Sequence, residues 1–201
     1  GENQTFLRRN TFVDCVFRGE GEEVVSQWLT CWNQPDAWKD ITGLCYIDAK
    51  DDTYHDNGIA RVLDFDQLLP PETSPFFNWS KPFVQLETTR GCFNTCAFCV
   101  SGGEKPVRTL PLETIRERII LIHQHGIRNI RVLDRTFNYN NRHAKALLSL
   151  FQEFSDIRFH LEIHPALLSD ELKEELTHMP DNLLQLEAGI QSLREDVPIT
   201  C

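Results

Sequence analysis

The chain has 201 residues, with 20 basic against 30 acidic side chains and a net charge of −10 at pH 7. That acidic balance argues against a broad nucleic-acid or anionic-membrane surface, while leaving room for a local basic pocket. No apolar run reaches membrane-spanning length and the opening GENQTFLRRN lacks a signal-peptide core, so a soluble, cytoplasmic protein of one full domain or two smaller pieces is expected.

The first predicted strand is Phe12 to Phe17, followed by the turn RGEGEE and an amphipathic helix over about 22–32. A second strand is predicted from Ile41 to Ile47, with a polar turn through 51–58. One strand–helix–strand unit is too little for an independent domain, so residues 1–67 read as the tail end of a larger one. From Leu68 to Pro82 four prolines fall within fifteen residues, LLPPETSPFFNWSKP, which predicts an extended linker. Residues 83–201 then become regular. Strands are predicted at Phe83–Thr88, Ile127–Asp134, Arg158–Ile163 and Leu183–Ala188, and helices at about 112–125, 141–154 and 169–178. Ile115, Ile119 and Ile122 share one helix face, and Ala146, Leu147 and Phe151 are read as the face of the next. Strands alternating with helices predict an α/β fold with a parallel sheet, either half a barrel or a small open sheet.

Three of these strands alternate in a way that bears on function. In RFHLEI the apolar Phe159, Leu161 and Ile163 oppose His160 and Glu162. In LLQLEAGIQS the apolar Leu184, Leu186 and Ala188 oppose Gln185, Glu187 and Gln191. In FVQLETT, Gln85, Glu87 and Thr89 oppose Val84 and Leu86. A barrel filled by side chains would have strands apolar on both faces, so these strands are expected to line a polar cofactor cavity. The run Ile127–Asp134 does not sort between faces.

Seven cysteines could suggest disulfides, but their number is odd and three crowd into CFNTCAFC as Cys92, Cys96 and Cys99. Metal binding in a reducing compartment is the better account. The loop follows the first strand of the regular region, at the end where βα folds place active sites. Three soft thiolates can hold a four-iron cluster while leaving one iron open to another ligand. The alternatives are a structural zinc site, which lacks a nearby fourth ligand at familiar spacing, and incidental buried thiols. Cys15, Cys31 and Cys45 are scattered and read as small buried apolar residues.

With Phe98 before the last cysteine, this CxxxCxxC loop resembles the signature of the radical S-adenosylmethionine (radical SAM) superfamily. The resemblance runs over about 81–192, through ETTRGCFNTCAFC, LDRTFNYN, HLEIHPALL and QLEAGIQSL. Among its members, the wording is most similar to the cobalamin-binding radical SAM proteins, and VDCVFRGEGEEVV with ITGLCYID resembles the end of their cobalamin-binding domain. The resemblance implies parallel βα units forming about half to two-thirds of a partial TIM barrel, preceded by the tail of a Rossmann-like cobalamin-binding domain. It implies a 4Fe-4S cluster on the three cysteines, with S-adenosylmethionine chelating the open iron and cleaved by one electron to methionine and a 5′-deoxyadenosyl radical. Methyl transfer and ring rearrangement both fit such an enzyme, and an electron donor such as flavodoxin or ferredoxin and a small-molecule substrate are implied partners. An iron–sulfur electron-transfer or sensing module and a zinc-stabilised interaction domain are the competing functions.

Under this resemblance Phe98 lies near the adenine, Glu187 and Gln191 contact ribose or methionine groups, and Asp134 takes the methionine amine. The alternative for Asp134 is a solvated ion pair with Arg135 at the strand end. The GGE at Gly102–Glu104 falls too early for the family's amine-binding segment and reads as coincidence. Asp52, His55 and Gly58 mimic a cobalamin-ligating DxHxxG with one residue too many, and are read as a turn. GEGE at 19–22 reads as a helix-capping turn, with an approach to the cobalamin nucleotide as the alternative that the resemblance implies. His160 and His164 read as hydrogen-bonded cavity histidines, with substrate acid–base chemistry as the alternative. The missing initiator methionine and the end soon after a fourth strand, where such barrels have six, predict a piece of a longer protein.

Overall fold

The computed structural model describes residues 1–65, 68–96, 99 and 104–189. The chain divides into two compact units, Gly1–Leu68 and Leu69–Cys201, with the division at the start of the proline-rich stretch.

The first unit comprises helix α1 (Glu2–Arg9), strand β1 (Cys15–Phe17), helix α2 (Gly21–Cys31), a 3-10 turn over Pro35–Asp40, and strands β2 (Leu44–Ile47) and β3 (Tyr54–Asp56). The strands form an antiparallel sheet in the order β1-β2-β3. Strand β3 lies inside the 51–58 run that the sequence presented as a turn. The reversal itself is tight: Asp48 N–H donates to Thr53 O at 2.8 Å, and Asp52 adopts φ 59°. His55 therefore sits on a strand, stacked on Tyr46 with ring centroids 4.8 Å apart. Val24, Trp38, Ile41, Leu44, Tyr46 and Ala60 form the core, with Cys15, Trp28 and Cys31 packed against it. Cys45 is fully buried, and burial, with Asp14 adding, pushes the Cys15 thiol up to about 11, so both act as small apolar groups. GEGE is locked in place by its neighbours. Gly19 has φ +90°, and a Cβ there would stand 2.2 Å from Ala60 O; Glu20 accepts from Val62 N–H at 2.7 Å.

The second unit contains strand β4 (Val84–Leu86), the short strands β5 (Thr89–Arg90) and β6 (Arg108–Thr109), helix α3 (Leu112–Gln124), β7 (Asn129–Val132), α4 (Asn141–Gln152), β8 (Arg158–Ile163), α5 (Asp170–Thr177) and β9 (Leu184–Ala188). The four strands expected from the sequence form one parallel sheet in the order β4-β7-β8-β9. Each new strand joins on the same side of the last. A doubly wound sheet reverses its order at a switch point, whereas a barrel advances in one direction, so this is barrel-type progress.

Helix periodicity explains how the sheet is covered. Ile115, Ile119 and Ile122 of α3, and Ala144, Leu147, Leu148 and Phe151 of α4, are all buried. Ala146, assigned to this face from the sequence, is half-buried, because the stripe runs 144, 147, 148, 151. The helices meet Val84, Leu86, Ile130, Val132, Phe159 and Leu161, which are buried on one side of the sheet, and Phe151 stacks on Phe159 at 4.0 Å. Ile127–Asp134, ambiguous as a sequence, sorts cleanly here: Ile130 and Val132 turn to the helices, and Arg131 to the other face. Side-chain caps define two helix starts, Asn140 accepting from His143 N–H and Ser169 from Leu172 N–H.

The proline-rich stretch is docked, not loose. Its Pro71–Thr73 turn buries Glu72, whose carboxylate takes a two-pronged contact from Arg118 of α3 at 3.1 and 2.8 Å. Trp79 stacks flat on His125, with centroids 3.8 Å apart. Proline fixes this backbone, and the ion pair and ring stack anchor it.

Candidate functional site

The cysteine loop grows from a clasp just beyond β4. Strands β5 and β6 pair Thr89 with Thr109 and Arg90 with Arg108, which closes the base of the loop. Cys92 N–H then donates to Glu104 O at 3.0 Å. Gly91 makes this closure possible, with φ +106° and a would-be Cβ 2.5 Å from Glu104 O. Glu87 and Arg90 brace the clasp through two 2.7 Å contacts. Cys92 is buried, Cys96 half-buried and Cys99 exposed, and Cys99 N–H donates to Cys96 O at 3.1 Å. Phe93 stacks against Tyr139 beyond β7, with centroids 6.4 Å apart. Burial first, and Asp134 second, raise the Tyr139 phenol above its ordinary value.

The donor set suits an iron–sulfur cluster: three soft thiols on one short, clasped loop. Among the described residues, no three His, Cys, Asp or Glu side chains converge on a common point.

Asp134 does not stand where an amine could reach it, nor as a solvated partner of Arg135. It is fully buried, and its Oδ1 accepts from Thr88 N–H at 2.9 Å and Thr89 N–H at 2.8 Å, while Oδ2 takes the Thr88 hydroxyl. The carboxylate is thereby spent on tying the end of β7 to the root of the cysteine loop. Desolvation raises its pKa, and the hydrogen bonds from Thr88 and Thr89 offset part of that rise. Asn138, also buried, does a similar job one strand over. Its side-chain amide donates to His164 O at 2.9 Å and its oxygen accepts from His164 N–H at 2.8 Å, joining the loops beyond β7 and β8. Partial burial alone holds the half-buried His143 of α4 below the ordinary histidine value.

The polar face of the sheet carries Gln85, Glu87, Arg131, His160, Glu162, Gln185 and Glu187. Register aligns Gln85, Arg131, His160 and Gln185 in one row, and Glu162 with Glu187 in the next. Arg131 Nη2 lies 3.4 Å from Glu187 and 3.6 Å from Glu162. His160 Nε2 lies 2.9 Å from the Glu187 carboxylate, out of line for a hydrogen bond. Phe98, Gln191 and Gly102 lie outside the described residues.

The family profile of the radical SAM superfamily matches residues 86–199, more than half of the chain. The chain belongs to the radical SAM superfamily. Among curated proteins, this radical SAM chain is 29% identical over 167 residues to the uncharacterized methyltransferase PH0819 of Pyrococcus horikoshii, which covers 75% of the chain and 35% of that protein. Among solved structures it is similar to the radical S-adenosylmethionine methyltransferase TsrM from Kitasatospora setae, with cobalamin and a 4Fe-4S cluster bound. The TM-score is 0.74 at 16% identity, over 96% of this chain and 42% of that one. It is also similar to OxsB, a cobalamin-dependent S-adenosylmethionine radical enzyme with aqua-cobalamin bound, with a TM-score of 0.62 at 17% identity, over 88% of this chain and 27% of that one. At such identities the structural likeness speaks to the fold, and both similar structures carry the α/β arrangement expected from the sequence. The chain spans about a third of the length of PH0819 and under half that of TsrM. No described helix is long and apolar enough to cross a membrane.

Three residues that shape this region were not singled out from the sequence. Thr88 and Tyr139 each gain their importance from a partner 46 residues away in the chain, Asp134 and Phe93 respectively, and no local pattern marks either. Arg131 had a signal, an arginine between Ile130 and Val132, which becomes readable once those two are assigned to the helix side.

Proposed function

We propose that the protein to which this chain belongs is a cobalamin-associated radical SAM methyltransferase. The observation that carries the reading is the three-cysteine loop, clasped at the carboxyl end of the first strand of a barrel-type parallel sheet. Cys92, Cys96 and Cys99 would hold a 4Fe-4S cluster. When bound, the cluster supplies the electron that splits the sulfur–C5′ bond of S-adenosylmethionine, giving methionine and a 5′-deoxyadenosyl radical. The described residues do the rest by placement. The β5–β6 clasp and Gly91 fix the root of the loop, and Asp134 holds Thr88 and Thr89 beneath it. Phe93 against Tyr139 covers one side with aromatic surface. Glu187, with Phe98 and Gln191, would contact the nucleoside or methionine part of S-adenosylmethionine. Methyl transfer is favoured over rearrangement because PH0819 and TsrM both carry methyltransferase names. Cobalamin is drawn from TsrM and OxsB, a small-molecule substrate and a flavodoxin- or ferredoxin-type donor would complete the system, and a cytoplasmic setting suits the thiols.

Anaerobic iron–sulfur reconstitution of the full-length protein tests this. We expect about four irons per chain, an electron paramagnetic resonance signal on reduction that changes with S-adenosylmethionine, and release of 5′-deoxyadenosine with dithionite. Alanine at any of the three cysteines removes all three signals. A well-loaded protein that releases no 5′-deoxyadenosine is an electron-transfer or sensing module instead, and a colourless protein with one zinc is a zinc domain.

A further inference from the structure

The charged cluster on the polar face has no adequate account in stability. Arg131, Glu162 and Glu187 have side-chain exposures of 39%, 39% and 54%, and exposed ion pairs of this kind add little to folding. Yet the arrangement is specific. Arg131 on β7 reaches over β8 to Glu187 on β9, two strand spacings away, and meets Glu162 on the way. His160, between them, approaches the same Glu187 carboxylate at 2.9 Å. One guanidinium is shared by two carboxylates, so acceptor positions on both remain unspent. The face therefore offers acceptors to a ligand bearing hydroxyls or a positive charge, and a single arginine sets where they point.

We propose that Arg131 is a positioning residue that orients Glu187, and with it Glu162, toward the hydroxyl-bearing or cationic part of a ligand on this face. The assignment rests on the radical SAM reading, in which that ligand is S-adenosylmethionine, a ribose-bearing sulfonium cation. Arg131 need not touch the ligand. Both carboxylates lie against one terminal nitrogen, Nη2, held on a rigid planar guanidinium, whereas a lysine carries its charge on a flexible stem and leaves both carboxylates freer to rotate.

The test is a double-mutant cycle on the full-length, cluster-loaded protein, reading the equilibrium affinity for S-adenosylmethionine without turnover. Arg131→Gln is expected to weaken binding about tenfold, a change worth about 1.4 kcal/mol. Iron content and thermal midpoint are expected to stay unchanged, and Arg131→Lys to remain weakened. Because Arg131 acts through Glu187 and Glu162, adding Arg131→Gln to the paired variant Glu162→Gln, Glu187→Gln should weaken binding no more than about twofold further. Losses that multiply across the cycle, or an Arg131→Gln affinity within twofold of wild type, overturn the assignment. A wild-type protein that holds its cluster yet binds no S-adenosylmethionine overturns the functional reading, and the Arg131 assignment with it. A normal wild type beside an unaffected Arg131→Gln overturns the assignment alone.

Discussion

Replacing Asp134 by alanine probes the join between the sheet and the cysteine loop. The substitution removes the acceptor for two buried backbone donors, the N–H groups of Thr88 and Thr89, and leaves the buried Thr88 hydroxyl without its partner. An orphaned buried donor costs about 1–3 kcal/mol, so the two amides alone predict a loss of roughly 2–6 kcal/mol. That is a large share of the ~5–15 kcal/mol typical of a folded domain. Asparagine behaves differently. Asp134 takes both amides on Oδ1, which asparagine keeps, and an amide nitrogen in the place of Oδ2 can donate to the Thr88 hydroxyl, so Asp134→Asn should cost under about 1 kcal/mol. Urea unfolding followed by circular dichroism measures both variants, and hydrogen exchange at the Thr88 and Thr89 amides reads the specific contact. Alanine should abolish their protection and asparagine preserve it. A loss below about 1 kcal/mol for Asp134→Ala, or protected amides in that variant, would refute the role assigned to this carboxylate. Asp134→Asn should also bind S-adenosylmethionine as wild type does; a weakened affinity in a stable variant would restore the amine contact.

The same carboxyl makes a pH prediction. Burial raises its folded-state pKa above the ordinary 3.8, so the folded protein holds this proton to higher pH than the unfolded chain. The stability that this group confers is complete at low pH and falls as pH rises from 3.8 through the folded value. Wild-type stability minus that of Asp134→Asn should therefore decline with rising pH in that window, and a flat or rising difference would show the shift to be wrong. Gly91→Ala should cost at least about 1–3 kcal/mol, since φ is +106° and the new Cβ meets Glu104 O at 2.5 Å, and iron content after reconstitution should drop. Arg118→Met strands the buried Glu72 carboxylate and should cost about 3–5 kcal/mol in thermal or urea unfolding, while adding Glu72→Leu should recover much of it. Asn138→Ala leaves His164 N–H without its acceptor and should cost about 1–3 kcal/mol, with lost exchange protection at that amide as the check.

The sequence alone determined the order and type of the four parallel strands and their helices, because apolar spacing of two and of three to four residues is a local property that burial must respect. It determined the polar face by the same alternation, and the cysteine loop by the spacing of its thiols. In the first unit it missed β3, whose Tyr54–Asp56 carry a histidine and an aspartate; pairing with β2 overrides weak strand propensity there. The linker looked extended because prolines dominate its composition, and only the distant Arg118 and His125 show that it is docked. Asp134 is the sharpest case. As a sequence it was a strand-end acid available to a ligand. In three dimensions its carboxylate is closed off by Thr88 and Thr89, 46 and 45 residues earlier. Which residue meets which acceptor depends on how the strands lie side by side. That is settled by packing across the sheet, between residues that no local pattern connects.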